Sequence, residues 1–235
     1  MATGTTIRAS KRPRHGRLFE PVAERRLEPV ARALLSRLPG AEAGLRAFRD
    51  VAGPFGVPDL IAVVGDESTL ERRRRTRVAP LLNEVDAAIV ATASAHRPSS
   101  SVTVAKRLGW SQSLIDRRLP ALVRSGALTM SDRGTLLRNE GLAPLGAIIA
   151  VELKVNDWRR ALTQCRTYGL WADSYVMVLE SLSDAARNMA TESVRRDRAG
   201  LVIDGEVVLW PVPRGPAESR RLWGSEHVYA ATIRR

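Results

Sequence analysis

Ala147-Ile-Ile-Ala-Val-Glu-Leu-Lys-Val155 is an apolar run broken only by Glu152 and Lys154. Its length and its Ile and Val content predict a buried strand. Alternation along a strand sends Glu152 and Lys154 to one face and Val151, Leu153 and Val155 to the other. The chain carries 34 Arg but only three Lys (Lys11, Lys106 and Lys154), so a Lys in this setting stands out. Burying an ammonium is costly unless it has a partner and a task. A carboxylate beside an amine at a strand end suits metal-dependent hydrolysis, but such a site needs a second carboxylate to hold the ion.

Gly56-Val-Pro-Asp-Leu-Ile-Ala-Val-Val-Gly65 supplies one. It reads as a short buried strand, with Pro58 tolerated at its first position and Asp59 at its mouth. Pro-Asp followed by Glu-x-Lys in a later strand resembles the PD-(D/E)xK, or restriction-endonuclease-like, nuclease superfamily. The passage from Val151 through Asp157, Ala161 and Gln164 to Tyr168 is similar to the strand-to-helix passage of that superfamily. The resemblance covers most of residues 18–78 and 142–235. It implies an α/β fold whose mixed sheet is flanked by helices. Asp59 and Glu152 would hold Mg²⁺ or Mn²⁺, with a backbone carbonyl near Leu153 as a further ligand. Lys154 would position the attacking water or neutralise the phosphate. Gln164, in the helix after the motif, is a further catalytic candidate, and a plain solvated Gln is the equal alternative. Some members carry an additional metal-side Glu on their first helix, which makes Glu20, Glu24 and Glu28 candidates by position. More often such Glu residues simply solvate a helix face. For the pair itself, the bland alternative is an ion pair of Glu152 and Lys154 on a solvated edge strand.

Asp59 and Glu152 lie 93 positions apart, and the interval has its own organisation. Glu71-Arg-Arg-Arg-Arg-Thr-Arg77 is a charge run, expected to be a solvated linker whose Arg72, Arg73, Arg74 and Arg75 can reach phosphates. Apolar spacing from Leu81 to Ala95 predicts a helix. A second helix is expected over 101–108, ended by Gly109, and a third from the N-cap Ser111 to about Ser125. Ala127–Met130 and Thr135–Arg138 flank a Gly-containing loop and predict a hairpin. Helix, helix, turn, helix, hairpin over 79–141 resembles a winged helix-turn-helix inserted into the nuclease-like domain. In that family the third helix enters the major groove. The resemblance therefore implies DNA contact from Ser111, Gln112, Ser113 and Arg117, with Asp116 on the same face, and from Arg133 and Arg138 of the wing. Pro120 departs from the pattern and should kink the third helix. A protein-protein wedge is the bland alternative for this module.

In the remainder, 18–50 predicts one or two amphipathic helices broken at Pro39-Gly40. Asn156 or Asp157 should cap a helix to about Leu170, with Trp158, Ala161, Leu162, Cys165 and Gly169 inward. Ser174–Leu179 reads as a buried strand, 182–198 as a helix, and Asp204-Gly205 as the turn of a hairpin. The tail from Pro211 is Pro- and Arg-rich and gives no clear element.

The 235 residues carry 37 basic and 25 acidic side chains, a net charge of +12 that favours a polyanionic partner, here duplex or branched DNA. An aromatic content of 5% argues against a platform for stacking single-stranded bases. Residues 1–17 lack the apolar core of a secretory signal and read as a disordered basic arm. No run approaches a membrane span, and the single Cys, Cys165, fits a reducing cytoplasm. The sequence leaves a homodimer open. The expected function is metal-dependent hydrolysis of DNA by an endonuclease; a non-catalytic DNA-binding or regulatory protein on the same scaffold is the alternative.

Overall fold

The computed structural model describes residues 6–8, 22–65 and 67–233. The fold is a mixed α/β arrangement built on one seven-stranded sheet. Its strands are β1 (Thr6–Arg8), β2 (Leu45–Arg49), β3 (Leu60–Val64), β7 (Ala147–Lys154), β8 (Ser174–Leu179), β9 (Gly200–Ile203) and β10 (Glu206–Leu209), in that spatial order. Between β3 and β7 the chain forms a three-stranded sheet of β4 (Ser99–Ser100), β5 (Leu128–Met130) and β6 (Thr135–Arg138). β3 runs antiparallel to β7, while β8 and β9 run parallel to it. β7 is therefore central. Its near-continuous apolar sequence follows from burial on both faces.

The alternation expected along β7 is present. Ile148 and Ala150 belong to one apolar cluster, with α7 (Trp158–Tyr168) and α8 (Asp184–Arg196). Ile149, Val151 and Leu153 belong to another, under α2 (Glu28–Leu35), which follows the short α1 (Val22–Arg25). Asp157 caps α7 by accepting the Arg160 N–H at 3.1 Å. The inward stripe of α7 is as expected, except that Tyr168 is buried and Gly169 is exposed. Asp204 and Gly205 both have positive φ, +52° and +76°, which gives the β9–β10 turn the hand that matches strand twist.

Residues 84–138 form a compact unit of α4 (Glu84–Thr92), α5 (Ser101–Leu108), α6 (Gln112–Arg124) and the small sheet. Asn83 accepts from the Val85 and Asp86 amides and so starts α4 three residues later than the apolar spacing suggested. Gly109, at φ +68°, ends α5 as expected. Pro120 lies inside an unbroken α6. It sits on the exposed side, where water can serve the carbonyl left without a helix donor.

Four expectations need correction. Residues 45–49 are the strand β2, not helix, because Ala47 and Phe48 alternate onto the two buried faces of the sheet. The Arg run is not a linker but the helix α3 (Ser68–Arg75). Within the basic arm, Thr6–Arg8 pairs in parallel with β2; the rest of 1–17 lies outside the described residues. The tail contains α9 (Glu218–Ile233), whose Leu222 and Trp223 pack into the core of the 84–138 unit while Val228 and Tyr229 pack under the large sheet. Trp223 Nε1 donates to Leu82 O at 2.9 Å, and its ring meets Phe55 edge-on at 5.4 Å. No helix among the described residues is long and apolar enough to cross a membrane.

Candidate active site

The antiparallel register that pairs Leu60 with Val151 carries the preceding Asp59 across from Glu152. Asp59 is 8% exposed, Glu152 is fully buried and Lys154 is 7% exposed, all three at one end of β3 and β7. Asp59 Oδ2 accepts the Leu153 N–H at 2.8 Å, which fixes its carboxylate against the partner strand. Lys154 Nζ lies 2.9 Å from Glu152 Oε1, 3.2 Å from Glu24 Oε1, and donates to Leu153 O at 2.9 Å. Thus Asp59, Glu152 and Lys154 meet, as the spacing suggested, and the bland picture of a solvated edge pair fails because β7 is central.

Burial, and then repulsion from Asp59, push the Glu152 carboxyl above the usual range; Lys154 and a hydrogen bond from Tyr168 pull the other way without cancelling this. Burial also pulls the Lys154 ammonium down, but attraction from Glu152, Asp59 and Glu24 outweighs it and its pKa is raised. Lys154 is therefore a cation at neutral pH, suited to stabilising charge and not to accepting a proton.

Tyr168 was not foreseen as part of the site. Its hydroxyl donates to Glu152 Oε2 at 2.8 Å, and Val57 O stands 3.4 Å away. Tyr168 falls on the buried side of α7, where the sequence had placed Gly169, so spacing could show a buried position near there but not this bond. Gly56, at φ +80°, lies so close that an added Cβ would come within 2.8 Å of the Tyr168 ring. The Trp171 indole N–H holds Phe55 O at 3.1 Å. These rings set the loop that delivers Pro58-Asp59. Gln164 is half-buried beside them, and its side-chain oxygen is buried with no hydrogen-bond partner among the described residues.

Of the additional Glu candidates, Glu24 reaches the site through Lys154. Glu28 is tied to Arg32 and to Arg49 at 3.1 Å, and Glu20 lies outside the described residues. Glu24, Glu28 and Asp59 share the walls of a small cleft, about 10 Å³ in volume. No three acidic, His or Cys side chains group as a metal cage among the described residues. The donors that face a common cation are the Glu152 carboxylate and the Leu153 carbonyl, both in contact with the Lys154 ammonium. That oxygen set suits a hard divalent ion, with Asp59 opposite.

The candidate DNA-contacting residues divide. Ser111, Gln112, Ser113 and Arg117 are exposed at the start of α6, Asp116 beside them, and Arg133 is exposed at the β5–β6 turn. Arg72, Arg74 and Arg75 are exposed on α3, Arg74 paired with Glu71. One assignment fails, and a second residue is engaged within the protein. The Arg73 side chain is fully buried and makes bidentate bonds to Glu226 at 2.7 and 2.6 Å, because the helix turns it inward where its neighbours turn out. Arg138 is partly buried, and its guanidinium donates to the exposed Glu218 of α9 at 2.7 Å. Cys165 is fully buried, and burial pushes its thiol well up, as befits a core residue.

Comparison with family models, with curated proteins and with solved structures finds no match for this chain.

Proposed function

We propose that this protein is a metal-dependent DNA endonuclease of restriction-endonuclease-like architecture, with 79–141 acting as a winged helix that grips duplex or branched DNA. The observation that carries the reading is the meeting of Asp59, Glu152 and Lys154 at one end of β3 and β7, from segments 93 residues apart. Glu152 and Asp59 would hold Mg²⁺ or Mn²⁺ with the Leu153 carbonyl. Bound there, the ion would supply a water of lowered pKa and charge for the scissile phosphate. Lys154, a permanent cation, stabilises negative charge growing on that phosphate. It must leave the Leu153 carbonyl to do so, and its flexible stem allows this. Tyr168 holds Glu152 in one rotamer, and Asp59 is locked by the Leu153 amide.

The reading of 79–141 as a winged helix is supported by the order of α4, α5, α6 and the β5–β6 hairpin, and by the exposed polar start of α6. A net charge of +12 supports a polyanionic partner.

A second reading, a non-catalytic DNA-binding scaffold, is favoured by one observation. The Lys154 ammonium already contacts Glu152, Glu24 and Leu153 O, so the acceptors that would hold an ion face a cation of the protein's own. Nicking of supercoiled plasmid and labelled duplex in Mg²⁺ or Mn²⁺ decides between the two. Wild type should cut, while Asp59→Ala, Glu152→Ala and Lys154→Ala should not, with duplex affinity in Ca²⁺ kept by the Lys154 variant. Wild type that is inert in both metals across linear, branched and supercoiled DNA establishes the scaffold reading instead.

A further inference from the structure

The end of the sheet away from Asp59 and Lys154 carries an unassigned cavity. It has a volume of about 370 Å³, opens to solvent, and lies where β8 and β9 begin. The parallel register aligns Ser174 at this end with Ile149 and Leu179 at the other end with Lys154. At about 3.3 Å per residue, the six-residue β8 separates cavity and candidate active site by roughly 17 Å.

Four arginines line the cavity: Arg166, Arg196, Arg198 and Arg214. Two aspartates also line it, and both are already neutralised within the protein. Asp197 accepts from Arg166 Nε at 2.8 Å and from the Tyr175 hydroxyl, and its carboxyl is held below the usual range even against the opposing effect of burial. Asp173 accepts from Arg221 and from the Ile148 amide. Arg196 pairs with Glu192 at 3.0 Å. Arg198 and Arg214 have no side-chain ion pair or hydrogen bond among the described residues. The cavity therefore holds unbalanced positive charge.

The backbone presents both of these arginines. Arg198 has φ +55°, directly after the C-cap of α8, a position where glycine is favoured and any other residue is strained. Its carbonyl accepts the Val212 N–H at 2.9 Å, and the Arg214 N–H is held by Asp173 O at 2.9 Å, so a short strap is pinned along the rim. Two apolar side chains, Leu170 (52% exposed) and Val212 (55% exposed), stand on the same walls. Guanidinium groups bind phosphates bidentately and also stack on flat rings. A concave site of this volume suits a compact ligand better than a duplex, which presents a convex surface.

We propose that this cavity binds a phosphorylated small molecule bearing a flat apolar group, a nucleotide in chemical class, with Arg198 and Arg214 on the phosphates and Leu170 and Val212 against the ring. The proposal does not depend on any nuclease activity.

Isothermal titration of the full chain in metal-free buffer tests it, with ADP, pyrophosphate and a short duplex as probes. ADP should bind one to one, and pyrophosphate more weakly because it lacks the ring. Arg198→Ala/Arg214→Ala should weaken ADP about tenfold or more, the scale of losing charge-assisted hydrogen bonds. Val212→Asp should weaken ADP as well, while an Arg117→Ala control should not. Both variants alter exposed side chains, and an unchanged melting temperature verifies folding. No ADP binding at millimolar concentration, or ADP binding equal in wild type and double variant, overturns the proposal. So does a double variant that loses duplex affinity but not ADP affinity, which would make the cavity a contact for nucleic-acid backbone.

Discussion

Arg73→Ala should be among the most damaging single substitutions in this protein, although it sits in a run of four arginines that looks like surface. The Arg73 and Glu226 side chains are both fully buried and joined by two short hydrogen bonds. Arg73 also serves Val78 O at 2.9 Å and lies over the Tyr229 ring at 4.0 Å. Truncation leaves the Glu226 carboxylate buried with the Leu81 N–H as its remaining hydrogen-bond donor. Removing one partner of a buried pair costs about 3–5 kcal/mol, because the other charge stays uncompensated. For a chain of this size each kcal/mol lowers the melting point by roughly 2–4 °C, so a fall of roughly 6–20 °C is expected. Urea titration should show a lower midpoint with an unchanged slope. The neighbour Arg75→Ala, exposed in the same helix, should change stability by less than about 0.5 kcal/mol. Arg73→Met/Glu226→Gln should recover at least half the loss, because no charge is left stranded and the Gln carbonyl still accepts from Leu81. A single-variant loss below about 1 kcal/mol, or a double variant no better than Arg73→Ala, refutes the argument that a desolvated charge is what makes this site costly.

Other outcomes follow from the site and its supports. Tyr168→Phe removes a hydrogen bond that favours ionised Glu152, so the Glu152 pKa should rise further; if cleavage needs the carboxylate, its acid limb should move to higher pH, read from a pH-rate profile. Asp197 has a depressed pKa, so its contribution to stability is present above the ordinary carboxylate range and is lost as pH falls through the folded value. Asp197→Asn should therefore be destabilised at neutral pH, with the gap to wild type closing below about pH 3.8, measured by urea midpoints across pH. Gly56→Ala should cost about 1–3 kcal/mol and disturb the Asp59 loop, since φ is +80° and the new methyl meets Tyr168; circular-dichroism melts check this. Gln112→Ala and Arg117→Ala should weaken duplex binding in mobility shifts in a sequence-dependent way, whereas Arg72→Ala should weaken it uniformly across sequences and reduce the salt slope by about one.

Much of the sheet was legible because local and global preferences agree there. Ala147–Lys154, Ser174–Leu179 and the Asp204-Gly205 hairpin are β-branched runs bounded by turn residues, and each occupies the place its pattern suggested. The caps at Gly109 and Asp157 were equally readable. What failed was fixed by distant partners. Arg73 is one of four consecutive arginines, and only a Glu 153 positions away distinguishes it. β2 carries two arginines in five residues, so its alternation is masked until β3 pairs with it. α9 follows a Pro-rich stretch and contains a fully buried Glu226 that breaks its apolar pattern. The Asp59, Glu152 and Lys154 cluster could be inferred from strand parity and an unusual Lys. The Tyr168 bond could not, because the pitch of α7 against β7 is set by packing and not by spacing alone.

The buried pair also bears on how grip and chemistry would be coupled. α9 places Leu222 and Trp223 in the core beneath α4, and Val228 and Tyr229 in the core beneath the large sheet. Glu226 lies between these two sets and clamps α3 through Arg73 and the chain entering α4 through the Leu81 amide. Trp223 holds the same entry at Leu82 O, and its ring abuts Phe55, which the Trp171 indole also holds in the loop leading to Asp59. An inserted module on flexible linkers would bring DNA to the cluster only at an effective concentration set by its tether. The exit is held as well, the Leu145 N–H donating to Ser225 Oγ of α9 at 3.0 Å, so both chain crossings are pinned to one helix and the module's exposed α6 start has a defined placement relative to Asp59. Loosening that frame with Trp223→Ala should therefore lower cleavage of bound duplex more than it lowers duplex affinity. Single-turnover cleavage at saturating protein, set beside a mobility shift, separates the two effects. Equal losses in both measurements, or a loss of affinity alone, would mean that the module acts only as a grip and that α9 does not orient it.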